Sequence, residues 1–234
     1  MHTDERHVFH DLQAYLDAMT SGLRGVHRWT HYRHDHPEDG LDHAFKGTFL
    51  AMTLLALERE HGDSKDLDGE RILAAATTHD IGEWLLGDVR YQVKADPRVA
   101  EPLRAIEREL YEREILARLP ESVRRALVHA ADLQDDRESR SGRFFNAVER
   151  IGYIIYAVRE HRRGHSHFLD VFARQHGAIL RLGREFKSVD TLYSHLQTEV
   201  ASALEAPTGR AIVERMAATS KDAAETLEWL RSRV

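Results

Sequence analysis

The sequence predicts an all-α fold, and three observations predict it. Apolar residues recur at spacings of three and four over long stretches. No run of alternating apolar and polar residues reads as a strand, and no internal repeat is found. Glycine, proline and short polar clusters punctuate the chain at helix-length intervals.

Residues 4–23 carry one stripe, formed by Val8, Leu12, Tyr15, Leu16, Met19 and Leu23. Residues 27–42 break it; the polar run from His31 to Gly40 contains Pro37 and reads as a loop. An apolar helix follows over 42–61, through Phe45, Phe49, Met52, Leu55 and Leu57, and His61-Gly62-Asp63-Ser64 ends it. Asp68 stands as the N-cap of a helix over 70–86, whose first turns are rich in alanine. Pro97 and Pro102 mark the start of an amphipathic helix over 98–118, and Pro120 opens another over 121–132. The polar stretch from Asp135 to Gly142 precedes an apolar helix over 143–163, which Gly164 ends. Three more helices are expected over 168–186, 190–205 and 209–232, with Pro207-Thr208-Gly209 the clearest break between them.

Composition narrows the functional classes. The chain has 234 residues, 42% of them hydrophobic, enough for a core and too many for a chain disordered throughout. The 33 basic and 39 acidic residues give a net charge of −6. The short basic runs, Arg159 to Arg163 and Arg137 to Arg143, are interrupted by other residues, acids among them, and read as solvated helix faces, so no nucleic-acid polymer is expected as partner. No apolar run reaches the roughly 20 residues of a membrane span, and the polar, partly acidic start is unlike a secretory signal. Cysteine is absent, which excludes disulfides and thiolate metal sites and suits the cytoplasm, where the protein is expected.

Histidine is the unusual count, at 16 residues. His79 and Asp80 end an alanine-rich stretch that reads as buried, where titratable groups need hydrogen bonds, ion pairing or a metal. Glu83 lies three residues from Asp80 and four from His79, so on a helix the three share a face. His43, near the start of another helix, can supply a ligand from a second element. Two histidines and an aspartate suit a borderline divalent metal, and such a site with an open position can activate a water against phosphorus. An isolated His-Asp pair is equally compatible with a histidine hydrogen-bonded inside a helical bundle; His34-Asp35 is another such pair.

The ordered combination carries more. Arg28-Trp29, His43, His79-Asp80-Ile81-Gly82-Glu83 and Gly87-Asp88 follow one another in this sequence. That pattern resembles the HD-domain metal-dependent phosphohydrolases, most closely their bacterial 5′-deoxynucleotidases, the YfbR-like group. The resemblance covers roughly residues 10–165. It implies an HD-domain core over 1–165 and a helical extension over 166–234, packed on the core or forming a dimer interface. It implies one divalent transition metal ion (Co, Mn, Ni, Fe or Zn) held by His43, His79 and Asp80. Glu83 becomes the acid/base. Arg28 binds phosphate. Trp29 packs beside the sugar and disfavours a 2′-hydroxyl, and Asp88 contacts the sugar or shares the proton transfer. Lys94 fits the substrate-binding set, and a homodimer is implied.

This sequence departs from the pattern where the family places its last metal ligand, an aspartate on a later helix. Glu149 is the candidate here, one methylene longer, with Asp132, Asp135 and Asp136 as competitors. Val89-Arg90-Tyr91-Gln92 stands where the family tends to carry prolines. The expected activity is hydrolysis of (deoxy)nucleoside 5′-monophosphates. The alternatives are a (d)NTP or modified-nucleotide triphosphohydrolase, with His31, His34 and His36 holding further phosphates, a non-catalytic nucleotide-binding HD protein, and a di-iron oxygenase with His129 as an added ligand.

Overall fold

Short polar side chains set where many of the helices begin. Asp39, Asp68, Asp96, Ser139 and Ser220 each accept a hydrogen bond from a backbone amide two or three residues on, satisfying a donor that the first turn leaves free. The computed structural model of the protein describes residues 12–87, 89, 91–94 and 96–233, and among them it contains no strand. Helix α1 covers 12–24 and widens to a π-helical segment at Ala18–Gly22. It is followed by α2 (Gly40–His61), α3 (Gly69–Thr78), the short α4 (Glu83–Leu86) and α5 (Tyr91–Lys94), and α6 (Pro97–Leu110). Then come α7 (Glu121–Ala131), α8 (Arg140–His161), α9 (Leu169–Glu185), α10 (Lys187–Glu205), α11 (Pro207–Ala217) and α12 (Lys221–Arg231).

Two cores result. The larger joins α2, α3, α8, α9 and α10 around Phe144, Phe145, Phe168, Phe172, Phe186 and Tyr193, each almost wholly buried. Burying one such side chain is worth roughly 1.5–3 kcal/mol. The smaller joins α1 to the helical turns that follow α6, through Tyr15, Leu23, Tyr111, Ile115 and Leu116. Ala75 and Ala76 belong to the first core and Ile81 to the second. The His79–Glu83 stretch therefore bridges the two.

Several expected elements differ in the structure. The helix expected over 70–86 stops at Thr78, and turns with three-residue hydrogen bonds carry the chain to Glu83. Side chains near that end take helix carbonyls for themselves: Thr77 donates to Leu73, Thr78 to Ala74 and His79 Nδ1 to Ala75. The helix expected over 209–232 is two, because Ser220 caps a new start at α12. Pro102 lies inside α6 rather than marking its start. Val8 lies outside the described residues. Phe45, Phe49 and Met52 face outward, 74%, 66% and 54% exposed; α2 buries His43, Ala44, Gly47, Ala51 and Leu54 instead.

Two close approaches rely on glycine. Any Cβ on Gly22 would lie 2.5 Å from the Trp84 indole, which rests on α1 partly exposed instead of entering a core. A Cβ on Gly177 of α9 would lie 2.5 Å from the α12 backbone at Glu225 and Thr226. The Gly177 amide donates to Thr226 Oγ1 at 2.9 Å, so α12 seats directly on α9.

Candidate metal centre and substrate pocket

Residues 25–39 form a loop pinched at its neck. The Arg28 amide donates to the Glu38 carbonyl (2.9 Å) and the Gly40 amide to Val26 (2.9 Å). The loop is fastened to α8: Tyr156 donates to the His36 carbonyl (2.7 Å), and Glu160 accepts from the Asp35 amide (2.8 Å). His165 is buried and reaches Asp35 at 3.1 Å. Trp29 adopts φ +61°, a left-handed conformation that costs about 1–2 kcal/mol for a residue with a Cβ. What holds it there is visible. Its indole stacks on Tyr156 at 4.8 Å and 4°, and its Nε1 donates to Glu38 (3.0 Å), which also accepts from Lys46 (3.0 Å).

Across from this loop, His43 of α2, His79 at the end of α3 and Glu149 of α8 meet. One ligand atom from each lies within 4.8 Å of the others, and all three residues are buried. Nε2 of His43 and of His79 stand 3.5 and 3.3 Å from Glu149 Oε2. The two Asp80 oxygens stand 3.4 and 3.2 Å from the same two nitrogens. His79 donates through Nδ1 to the Ala75 carbonyl at 3.0 Å, which leaves Nε2 bare. Nε2 of both histidines and Oε1 of Glu149 are buried without a hydrogen-bond partner. Tyr153, one turn along α8, donates to Glu149 Oε2 at 3.1 Å.

The charges show what such a cluster lacks. Burial works against the protonated form of His79, yet Asp80 and Glu149 outweigh it and raise its pKa well above the ordinary value. Burial likewise opposes ionisation of Asp80 and Glu149, and the imidazoles overcome it, with Arg28 helping at Asp80, so both stay well below the carboxylate range. A pocket that draws a proton onto a buried imidazole is one that takes up positive charge. With bare nitrogens and an unsatisfied carboxylate oxygen around one point, the residues fit a borderline divalent cation.

Arg28 and Glu83 adjoin this centre. Arg28 Nη1 donates to Asp80 at 2.8 Å and to Glu83 at 3.4 Å, while its buried Nε has no hydrogen-bond partner. Lys94 contacts the other Glu83 oxygen. Burial and the nearby Asp80 raise the Glu83 pKa against the pull of Lys94 and Arg28. Arg28, Asp80, Glu83, Lys94 and Glu149 open onto one cavity of about 380 Å³ that also meets Trp29, Tyr32 and Tyr153. Its far wall carries Arg137, Asn146, Arg150, Arg174, Gln175 and Asp222.

The structure thus brings together Arg28, Trp29, His43, His79, Asp80, Glu83, Lys94 and Glu149. Asp88 lies outside the described residues. The competitors of Glu149 are engaged elsewhere or face outward: Asp132 pairs with Arg108, Asp136 caps at Ser139 and Asp135 is exposed. His129 is exposed as well, and among the described residues a single His/His/Glu cluster is present. Tyr153 was missed by sequence reasoning, although its position four residues after Glu149 was a usable signal. Glu38 sits in a polar loop and offered none.

An all-α bundle with histidine and carboxylate ligands gathered from separate helices is the architecture of the HD-domain proteins. The described chain superposes on an HD-domain phosphohydrolase from Listeria innocua with a TM-score of 0.68 at 17% identity, covering 95% of this chain and 99% of the other. A protein of Magnetospirillum magnetotacticum described as a predicted metal-dependent phosphohydrolase gives 0.61, also at 17% identity, over 87% and 97%. The family model of YfbR-like 5′-deoxynucleotidases matches residues 15–200, and the chain belongs to that family. A 5′-deoxynucleotidase of Erwinia tasmaniensis is 26% identical over 164 residues, 70% of this chain and 81% of that protein. The Escherichia coli 5′-deoxynucleotidase is 29% identical over 114 residues, where the match spans 48% of this chain and 56% of that protein.

Proposed function

We propose that the protein is a metal-dependent phosphohydrolase that releases phosphate from (deoxy)nucleoside 5′-monophosphates. The observation that carries this reading is the set of unsatisfied buried atoms at and just behind the cavity wall: Nε2 of His43 and His79, Oε1 of Glu149 and Nε of Arg28. His43, His79, Asp80 and Glu149 hold the cation, with Co, Mn, Ni, Fe and Zn all compatible with that donor set. A divalent cation there supplies Lewis acidity toward phosphoryl oxygen and lowers the pKa of water. Arg28 offers its Nε–H, which makes no hydrogen bond, and its remaining guanidinium donors to the phosphate, whose geometry its planar fork matches. Lys94 adds a second positive charge. Glu83 takes the proton from the attacking water and returns it to the departing 5′-oxygen, a role suited to a carboxylate whose pKa is raised. Trp29 walls the sugar side and, in this reading, Asp88 contacts the sugar. Residues 1–165 carry the proposed ligands, and the 166–234 extension closes the far wall.

The test is a screen of metal-stripped protein with each cation against deoxy- and ribonucleoside mono- and triphosphates, with products identified. Orthophosphate from a deoxymonophosphate is the expected product. Tripolyphosphate, or silence across the panel, overturns the reading. Trp29→Phe keeps the stack on Tyr156 while trimming the wall. It is expected to narrow the preference for deoxyribose over ribose by about tenfold, read as the ratio of kcat/KM values.

We also propose a cytoplasmic homodimer, supported by the absence of cysteine and by the outward stripe of Phe45, Phe49 and Met52 on α2. Among the described residues no helix is long and apolar enough to cross a membrane. Sedimentation at micromolar concentration is expected to show a dimer for the wild type and a monomer for Phe49→Glu; a monomeric wild type refutes the dimer.

A further inference from the structure

Arg150 of α8 is held at all three nitrogens of its guanidinium. Nε donates to Asn146 Oδ1 (3.0 Å), Nη1 to Gln175 Oε1 (2.6 Å) and Nη2 to Asp222 Oδ2 (2.8 Å). A guanidinium has donors and no acceptor, so both amides must turn their oxygens to it. Their NH2 groups are left over, and neither makes a hydrogen bond among the described residues. Both side chains line the cavity, and Gln175 is otherwise buried, at 8% exposed. The second Asp222 oxygen also makes no hydrogen bond among the described residues and remains an acceptor. Asp222 matches the charge of Arg150. What these four residues offer the cavity is therefore hydrogen-bonding groups of fixed direction, without net charge.

We propose that Asn146 and Gln175 read the base of the substrate, and that the preferred base carries two carbonyls about one ring N–H, as thymine and uracil do. The inference rests on the phosphohydrolase reading above and deepens it to a substrate class. In that reading the metal centre, Arg28 and Lys94 meet the phosphate and Trp29 the sugar, which leaves this wall to the base. Two amides bound to different nitrogens of one guanidinium stand apart, and two separated carbonyl oxygens answer their donors. The N–H between those carbonyls has the remaining Asp222 oxygen as its acceptor. Cytosine has the same size but an amino group in place of one carbonyl and a bare ring nitrogen in place of the N–H. It sets donor against donor and lone pair against carboxylate. Polar groups left unpaired in this way are what let a site reject a close analogue.

The experiment compares deoxyuridine and deoxycytidine 5′-monophosphates, alike in sugar, phosphate and shape, on wild-type, Asn146→Asp and Gln175→Glu proteins. Each variant keeps an oxygen for Arg150 and exchanges the amide donor for an acceptor. The wild type is expected to favour the deoxyuridine nucleotide about tenfold in kcat/KM, the worth of one hydrogen bond. Each variant should bring that ratio to about one or below. Damage to the fold or the metal centre lowers both substrates together and leaves the ratio unmoved. Equal kcat/KM on the wild type, or a ratio unchanged in both variants, overturns the base-reading role while leaving the phosphohydrolase reading intact. If neither nucleotide is hydrolysed with any cation, that reading fails instead. Calorimetry on metal-free protein with the two nucleosides then decides the role: tighter binding of deoxyuridine than of deoxycytidine, lost in Gln175→Glu, supports it, and equal or undetected binding overturns it.

Discussion

Replacing Glu149 with alanine is expected to cost the protein its divalent cation and with it all measurable phosphatase activity. Glu149 is the carboxylate that approaches both imidazoles and keeps a buried oxygen without a partner. Loss of a direct ligand should weaken metal affinity by more than about 100-fold, the upper end of what changes to outer-shell groups cost. Two further variants separate ligation from packing. Tyr153→Phe removes only the hydrogen bond that orients Glu149, and about 10–100-fold weaker binding is expected. Glu149→Asp retracts the carboxylate by one methylene, and its affinity should fall between those of Tyr153→Phe and Glu149→Ala. Metal content after dialysis against a weak chelator, with a thermal melt to confirm folding, reads all three. Unchanged metal content in Glu149→Ala would remove Glu149 from the ligand set.

Glu83→Gln is expected to do the opposite: retain the metal and lose turnover. The glutamine keeps the volume and an oxygen for Lys94 and Arg28, so the pocket should hold its shape. What it cannot do is take up and return a proton, which general acid–base catalysis makes worth about 10²–10⁴ in rate. The fall should appear in kcat with KM little changed. A variant with wild-type kcat would show that the proton travels by another route.

Much of this site was legible in the sequence because its residues sit at fixed local spacings. His79, Asp80 and Glu83 were expected on one face of a helix. In the structure the helix has ended by His79, and the three still converge, because the connecting turns keep near-helical dihedrals at His79 and Gly82. The periodicity of α2 was equally plain, but not its direction. Phe45, Phe49 and Met52 looked like a core stripe, while the buried stripe is marked by His43, Ala44 and Gly47. Small and polar residues there admit the neighbouring helices and the site, a choice that tertiary packing makes and hydrophobicity alone does not reveal. The far wall was illegible for a different reason. Arg137, Arg174 and Asp222 are separated by dozens of residues and meet only after α8, α9 and α12 pack. Arg137 had looked like one member of a solvated basic run.

The seat of α12 on α9 at Gly177 has a bearing on how the protein is made. The residues proposed to hold the metal all precede Arg150 in the chain, whereas Asp222, which anchors Arg150 from across the cavity, is synthesised 72 residues after it. A nascent chain can therefore assemble its reactive end well before the opposite wall exists. The order of synthesis thus sets the proposed ligands ahead of the wall that faces them.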